Sequence, residues 1–87
     1  MPTVFIPAAL RSFAGGAPKV EVEGSNVRQV IASLDARFPG FAGALISNGE
    51  LSANLMVSVD GAVQSRGLLA AVPLKSEVHF LPAIGGG

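Results

Sequence analysis

The order of apolar and polar positions divides the chain into short elements. Thr3-Val4-Phe5-Ile6 is β-branched and aromatic and stops at Pro7, which predicts a strand with Val4 and Ile6 facing a core and Phe5 facing away. Lys19-Val20-Glu21-Val22-Glu23 alternates strictly, so a second strand turns Val20 and Val22 inward and its charges outward. Residues 8–18 lie between them and hold Arg11, Phe13 and the turn signal Gly15-Gly16. This is a local connection, so the two strands are expected to form a hairpin.

Gly24-Ser25 breaks the alternation, and Asn26 followed three residues later by Gln29 has the form of a capping box. The helix predicted there carries Val27, Val30, Ile31, Leu34 and Phe38 on one stripe. Arg28, Gln29, Ser33, Asp35 and Arg37 take the wet face, and Pro39-Gly40 stops the helix.

Periodicity is poor over residues 41–53. Phe41, Leu45, Ile46 and Leu51 are expected to pack beneath an irregular connection that contains the Asn48-Gly49 turn and has room for a short helical turn. Leu55-Met56-Val57-Ser58-Val59 is the next strand, with Leu55, Val57 and Val59 inward, and Asp60-Gly61 turns it into Ala62-Val63-Gln64. Residues 68–74 are apolar but interrupted by Pro73, which predicts a buried connection rather than a helix. The last strand spans residues 77–81 with Val78 and Phe80 inward, and the chain is expected to leave the sheet near Pro82. The resulting order, β-β-α-β-β-β, is of the α+β class.

Composition narrows the function. With 87 residues, one domain is expected. A formal net charge of zero and an absence of Trp and Tyr offer neither a phosphate-collecting field nor a platform for stacking bases, so nucleic acid is not an expected partner. Without Cys, and with His79 as the only imidazole, the chain lacks a thiolate nucleophile, a Ser/His/Asp set and a metal-ligand cluster; no metal and no bound cofactor are expected. His79 has outward parity in the last strand, which suits a solvated or interfacial side chain. Gly15-Gly16 precedes a strand, not a helix, and so reads as a turn rather than a phosphate cradle. No signal-like segment or long apolar run is present, which fits a cytoplasmic protein with no membrane partner.

The remaining candidate chemistry is at the end of the sequence. Beyond Pro82, Ala83-Ile84-Gly85-Gly86-Gly87 carries three glycines and, at a terminal Gly87, a carboxylate. Such a backbone is slim enough for a narrow channel, and flexibility is expected from about Ala83 onward. A carboxylate becomes a handle for sulfur or nitrogen nucleophiles once a partner enzyme converts it to an acyl adenylate.

Leu81-Pro82-Ala83-Ile84-Gly85-Gly86-Gly87 resembles the ending of the ubiquitin-like sulfur carriers, a family that includes the small subunit of molybdopterin synthase, the thiamine sulfur carrier and the carrier that feeds a cysteine synthase. The last is the most similar of these. Ile6-Pro7-Ala8-Ala9-Leu10-Arg11 and Gly15-Gly16 also resemble that family's opening, whereas Pro73-Leu74-Lys75-Ser76 stands where relatives often have an acidic-glycine turn. The resemblance implies a β-grasp: a mixed sheet of four to five strands packed on one main helix, with the last strand beside and parallel to the first. It divides the chain into a folded domain over residues 1–81 and a flexible reactive tail over 82–87.

The same resemblance implies that the protein is not an enzyme but a co-substrate, monomeric when free. Gly87 would be adenylated by an ATP-using adenylyltransferase related to ubiquitin-activating enzymes and then converted to a thiocarboxylate, with Gly85 and Gly86 forming the tail. A sulfur-accepting partner would follow, either a cysteine synthase-like enzyme or the large subunit of molybdopterin synthase. Two alternatives stand beside this: a ubiquitin-like modifier joined to lysines through Gly87, and a β-grasp interaction module with an idle tail. On the sheet face away from the helix, Phe5, Met56 and Leu81 share outward parity; they form either a docking surface or a patch covered by loops. Ile84 is expected to join them in partner contact.

Overall fold

In the computed structural model, residues 1–82 are described, Pro82 by its backbone. In chain order the elements are β1 (Thr3–Phe5), a 3-10 helix (Ala8–Ala14), β2 (Lys19–Glu21), α1 (Val27–Arg37), α2 (Phe41–Leu45), β3 (Ile46–Ser47), β4 (Glu50–Leu51), β5 (Leu55–Val59), β6 (Ala62–Val63), a second 3-10 helix (Gly67–Leu69) and β7 (Glu77–Pro82). The main sheet has five strands in the order β2-β1-β7-β5-β6. β1 runs antiparallel to β2 and parallel to β7, and β5 is antiparallel to both β6 and β7. The last strand is therefore central, and its inward residues Val78 and Phe80 are buried between neighbours on both sides.

The helix covers one face of this sheet. Val27, Val30, Ile31 and Leu34 of α1 are buried in one cluster with Val4, Val20, Val57 and Phe80 of the strands, which is what a stripe at helical spacing against period-two strands produces. Phe38 is half-buried at the edge of that cluster.

The start of α1 refines the capping-box expectation. Asn26 Oδ1 accepts from Gln29 N–H at 2.8 Å, but Gln29 Oε1 accepts from Ser25, through N–H at 2.9 Å and Oγ–H at 2.8 Å, and not from Asn26. The backbone around Asn26 is held by the segment before β7: Val27 N–H donates to Ala70 O at 3.0 Å and Val72 N–H to Ser25 O at 2.9 Å. The apolar connection expected over residues 68–74 is thus laced to the helix entry, with Leu68, Ala70 and Val72 buried, although Leu69 and Leu74 are exposed.

Residues 41–53 are more regular than their sequence suggests. Phe41 and Leu45 are buried from the single turn of α2, and β3 and β4 form a small antiparallel hairpin, Ile46 opposite Leu51. At its tip Asn48 and Gly49 both have positive φ, 54° and 77°, as a two-residue hairpin turn needs. Asp35, assigned to the wet face of α1, in fact caps α2: its Oδ1 accepts from Gly40 N–H at 3.1 Å and Ala42 N–H at 2.9 Å. The first two strands are shorter than their apolar runs, ending at Phe5 and Glu21, because Pro7 and Gly24 draw the chain away; Ile6 and Val22 are buried all the same.

Candidate functional site

The face of the sheet opposite α1 is built by strand parity. Register aligns Lys19, Phe5, His79, Ser58 and Val63 in one row across all five strands. Two residues further along β7, Leu81 pairs with Met56, so these two stand side by side at the end of the sheet from which residues 83–87 continue. Phe5 lies one strand over and one row back, with His79 between it and β5. Leu81 is 37% exposed, whereas Phe5 and Met56 are half-buried.

His79 lies against one face of the Phe5 ring. Their rings stack with centroids 4.3 Å apart and planes 3° from parallel. Sequence reading placed both on the outer face but did not join them, because their contact depends on the parallel register of β1 with β7.

Where β1 turns away at Pro7, β7 continues without it, and an open depression of about 330 Å³ is left beside the root of the tail, lined by Phe5, Pro7, Arg11, Lys19, His79 and Leu81. Arg11 is fixed there by Nε–H donating to Ile6 O at 3.0 Å, a contact that turns the 3-10 helix back onto the end of β1. Gly85, Gly86 and Gly87, with Ile84, lie outside the described residues. Among the described residues, no three His, Cys, Asp or Glu side chains gather as a metal site, and no helix is long and apolar enough to cross a membrane.

A five-stranded mixed sheet with its last strand inserted parallel to the first, and one main helix laid across it, defines a ubiquitin-like β-grasp protein. The sequence matches the ThiS family over residues 4–87, and the chain belongs to that family of ubiquitin-like sulfur carriers. Among solved structures it is similar to a chain of the Amycolatopsis orientalis BexX/CysO complex, with 32% identity, a TM-score of 0.91 and full coverage of both chains. Mycobacterium tuberculosis CysO, described as an antigen, is 31% identical with a TM-score of 0.89 over 97% of this chain and 100% of that one. Small archaeal modifier protein 1 of Methanosarcina acetivorans shares the fold, with a TM-score of 0.80 at 24% identity over 99% of this chain and 95% of that one. A comparison with curated proteins gives no match.

Proposed function

We propose that this protein carries sulfur as a thiocarboxylate on Gly87 and that the sulfur goes to cysteine biosynthesis. What supports this most is the similarity to two CysO chains along their whole lengths, together with a family match that runs through Gly87 itself. In the first step a carboxylate oxygen of Gly87 attacks the α-phosphorus of ATP on a partner adenylyltransferase, and pyrophosphate leaves. A sulfide-level donor then attacks the carbonyl carbon of the acyl adenylate; AMP departs with the bridging oxygen, and sulfur takes its place. The carrier supplies the acyl group and no catalytic side chain, so it acts as a co-substrate.

The folded body and the tail divide the work. Ordering glycine-rich chain costs roughly 1–2 kcal/mol per residue, so the partner is held first by the sheet face, where Leu81, Met56 and Phe5 supply apolar contact. A sulfur-accepting partner then receives the same tail, as suits a family in which CysO occurs in a complex with BexX. Free of these partners the carrier is a cytoplasmic monomer. The test is ATP–pyrophosphate exchange with the adenylyltransferase of the same organism: one residue added after Gly87 abolishes exchange, because the carboxylate is displaced from the α-phosphate. Undiminished exchange with the extended chain rules the mechanism out.

A further inference from the structure

The charges on the sheet's outer face are sorted along the strands. Toward the tail, Arg11 and Lys19 flank the Phe5–His79 stack and line the depression beside β7 with it. One row away from the tail, register aligns Glu21, Thr3 and Glu77, all on the same face as the stack because they are two residues from Lys19, Phe5 and His79. Asp60 closes that row, its Oδ1 accepting from Glu77 N–H at 2.8 Å. Lys19, Glu21, Asp60 and Glu77 are all exposed. Two cations border the acidic row from outside the sheet: Lys75, in the turn leading into β7, and Arg37 of α1, whose guanidinium donates to Glu21 O at 3.3 Å and leaves the Glu21 carboxylate without an ion pair among the described residues.

We infer that this face binds a partner protein of complementary polarity, with carboxylates meeting Lys19 and Arg11 beside the tail and cations meeting Glu21 and Glu77 away from it. This rests on the reading that the sheet face docks the enzyme that takes the tail. An apolar patch alone holds a partner without setting its rotation about the sheet normal, whereas reversing opposed charge rows juxtaposes like charges. The polarity therefore sets the docking orientation and aims residues 83–87 in one direction. Phe5 and His79 stand as a stacked pair in the row of Lys19, and this positive end coincides with the depression into which an acidic side chain can enter.

The experiment uses the full chain labelled with ¹⁵N and two probes that differ only in charge, the peptides Ac-Glu-Leu-Glu-Phe-Glu-amide and Ac-Lys-Leu-Lys-Phe-Lys-amide. At low salt the acidic peptide shifts the amides of Phe5, Lys19 and His79, and the lysine peptide shifts those of Glu21 and Glu77. Lys19→Glu weakens the acidic peptide by about five-fold or more, as expected for loss of one close charge contact at low ionic strength. Arg28→Glu, on the helix that covers the other face, leaves that affinity unchanged, and Glu77→Lys raises it. Identical shift patterns with both peptides, no shifts at millimolar peptide, or equal effects of Lys19→Glu and Arg28→Glu overturn the inference. Absence of a thiocarboxylate in the native protein would instead sink the sulfur-carrier reading and leave the peptide map standing.

Discussion

Phe5 and His79 are direct partners in the parallel pair of β1 and β7, and their rings stack at 4.3 Å with planes 3° apart. The contact lies on the face of the sheet away from α1, and it ties the first strand to the strand that carries the tail. Phe5→Ala is expected to cost about 1–2 kcal/mol of stability, from lost apolar burial and ring stacking. His79→Phe, which keeps a ring there, retains most of it. Urea denaturation of the two variants checks this, and equal losses would show that the stack contributes nothing specific.

Leu81 lies outside the buried core. Leu81→Asp is expected to leave the circular dichroism spectrum unchanged and to lower the rate of adenylation at limiting carrier concentration, since a charge is then forced into the contact. An unfolded variant would remove Leu81 from the outer face; a folded one with the wild-type rate would remove it from the docking surface.

At the entry of α1, Gly24 faces the first turn so closely that a Cβ there would stand 2.7 Å from Val30 N and 2.8 Å from Val30 Cγ2. Since the first of these is backbone, relief requires a shift of the loop or the helix, and Gly24→Ala is expected to destabilise by about 1–3 kcal/mol. Asn26→Ala, which removes the side-chain cap, is expected to cost about 1 kcal/mol. Thermal denaturation ranks the two; a silent Gly24→Ala would mean that the close approach is relieved freely.

Much of this fold was legible because its signals are local. The alternation of Val20 and Val22 and the helical stripe from Val27 to Leu34 each needed only a few neighbouring residues, and all six apolar positions named in those two elements are buried. Residues 41–53 were legible only as an Asn48-Gly49 turn with room for a short helical turn, because a five-residue helix and two-residue strands span little more than one period each and leave no repeat to read. Asp35 reads as a surface residue in its own helix and becomes a cap only when the chain returns at Gly40 and Ala42. The central, parallel placement of β7 came from family resemblance and not from its own residues. For the same reason His79 was placed on a face but not against Phe5: their contact is set by register between the two ends of the chain.

Ser76 is buried at the foot of β7, with its backbone carbonyl accepting from Thr3 N–H at 2.9 Å and its hydroxyl without a partner. A buried hydroxyl without a partner is a cost to folding, so Ser76→Ala is expected to raise stability by up to about 1 kcal/mol. Chemical denaturation tests this, and a clear loss of stability would mean that the hydroxyl is hydrogen-bonded in solution.

The central claim is that Gly87 holds sulfur. Intact-mass analysis of the protein purified from its own cells, under conditions that preserve thioacids, tests it most directly: the account predicts a fraction in which one oxygen is replaced by sulfur, located to Gly87 by fragmentation. A uniformly unmodified carboxylate, or Gly87 found only in amide linkage to lysines of other proteins, would contradict it.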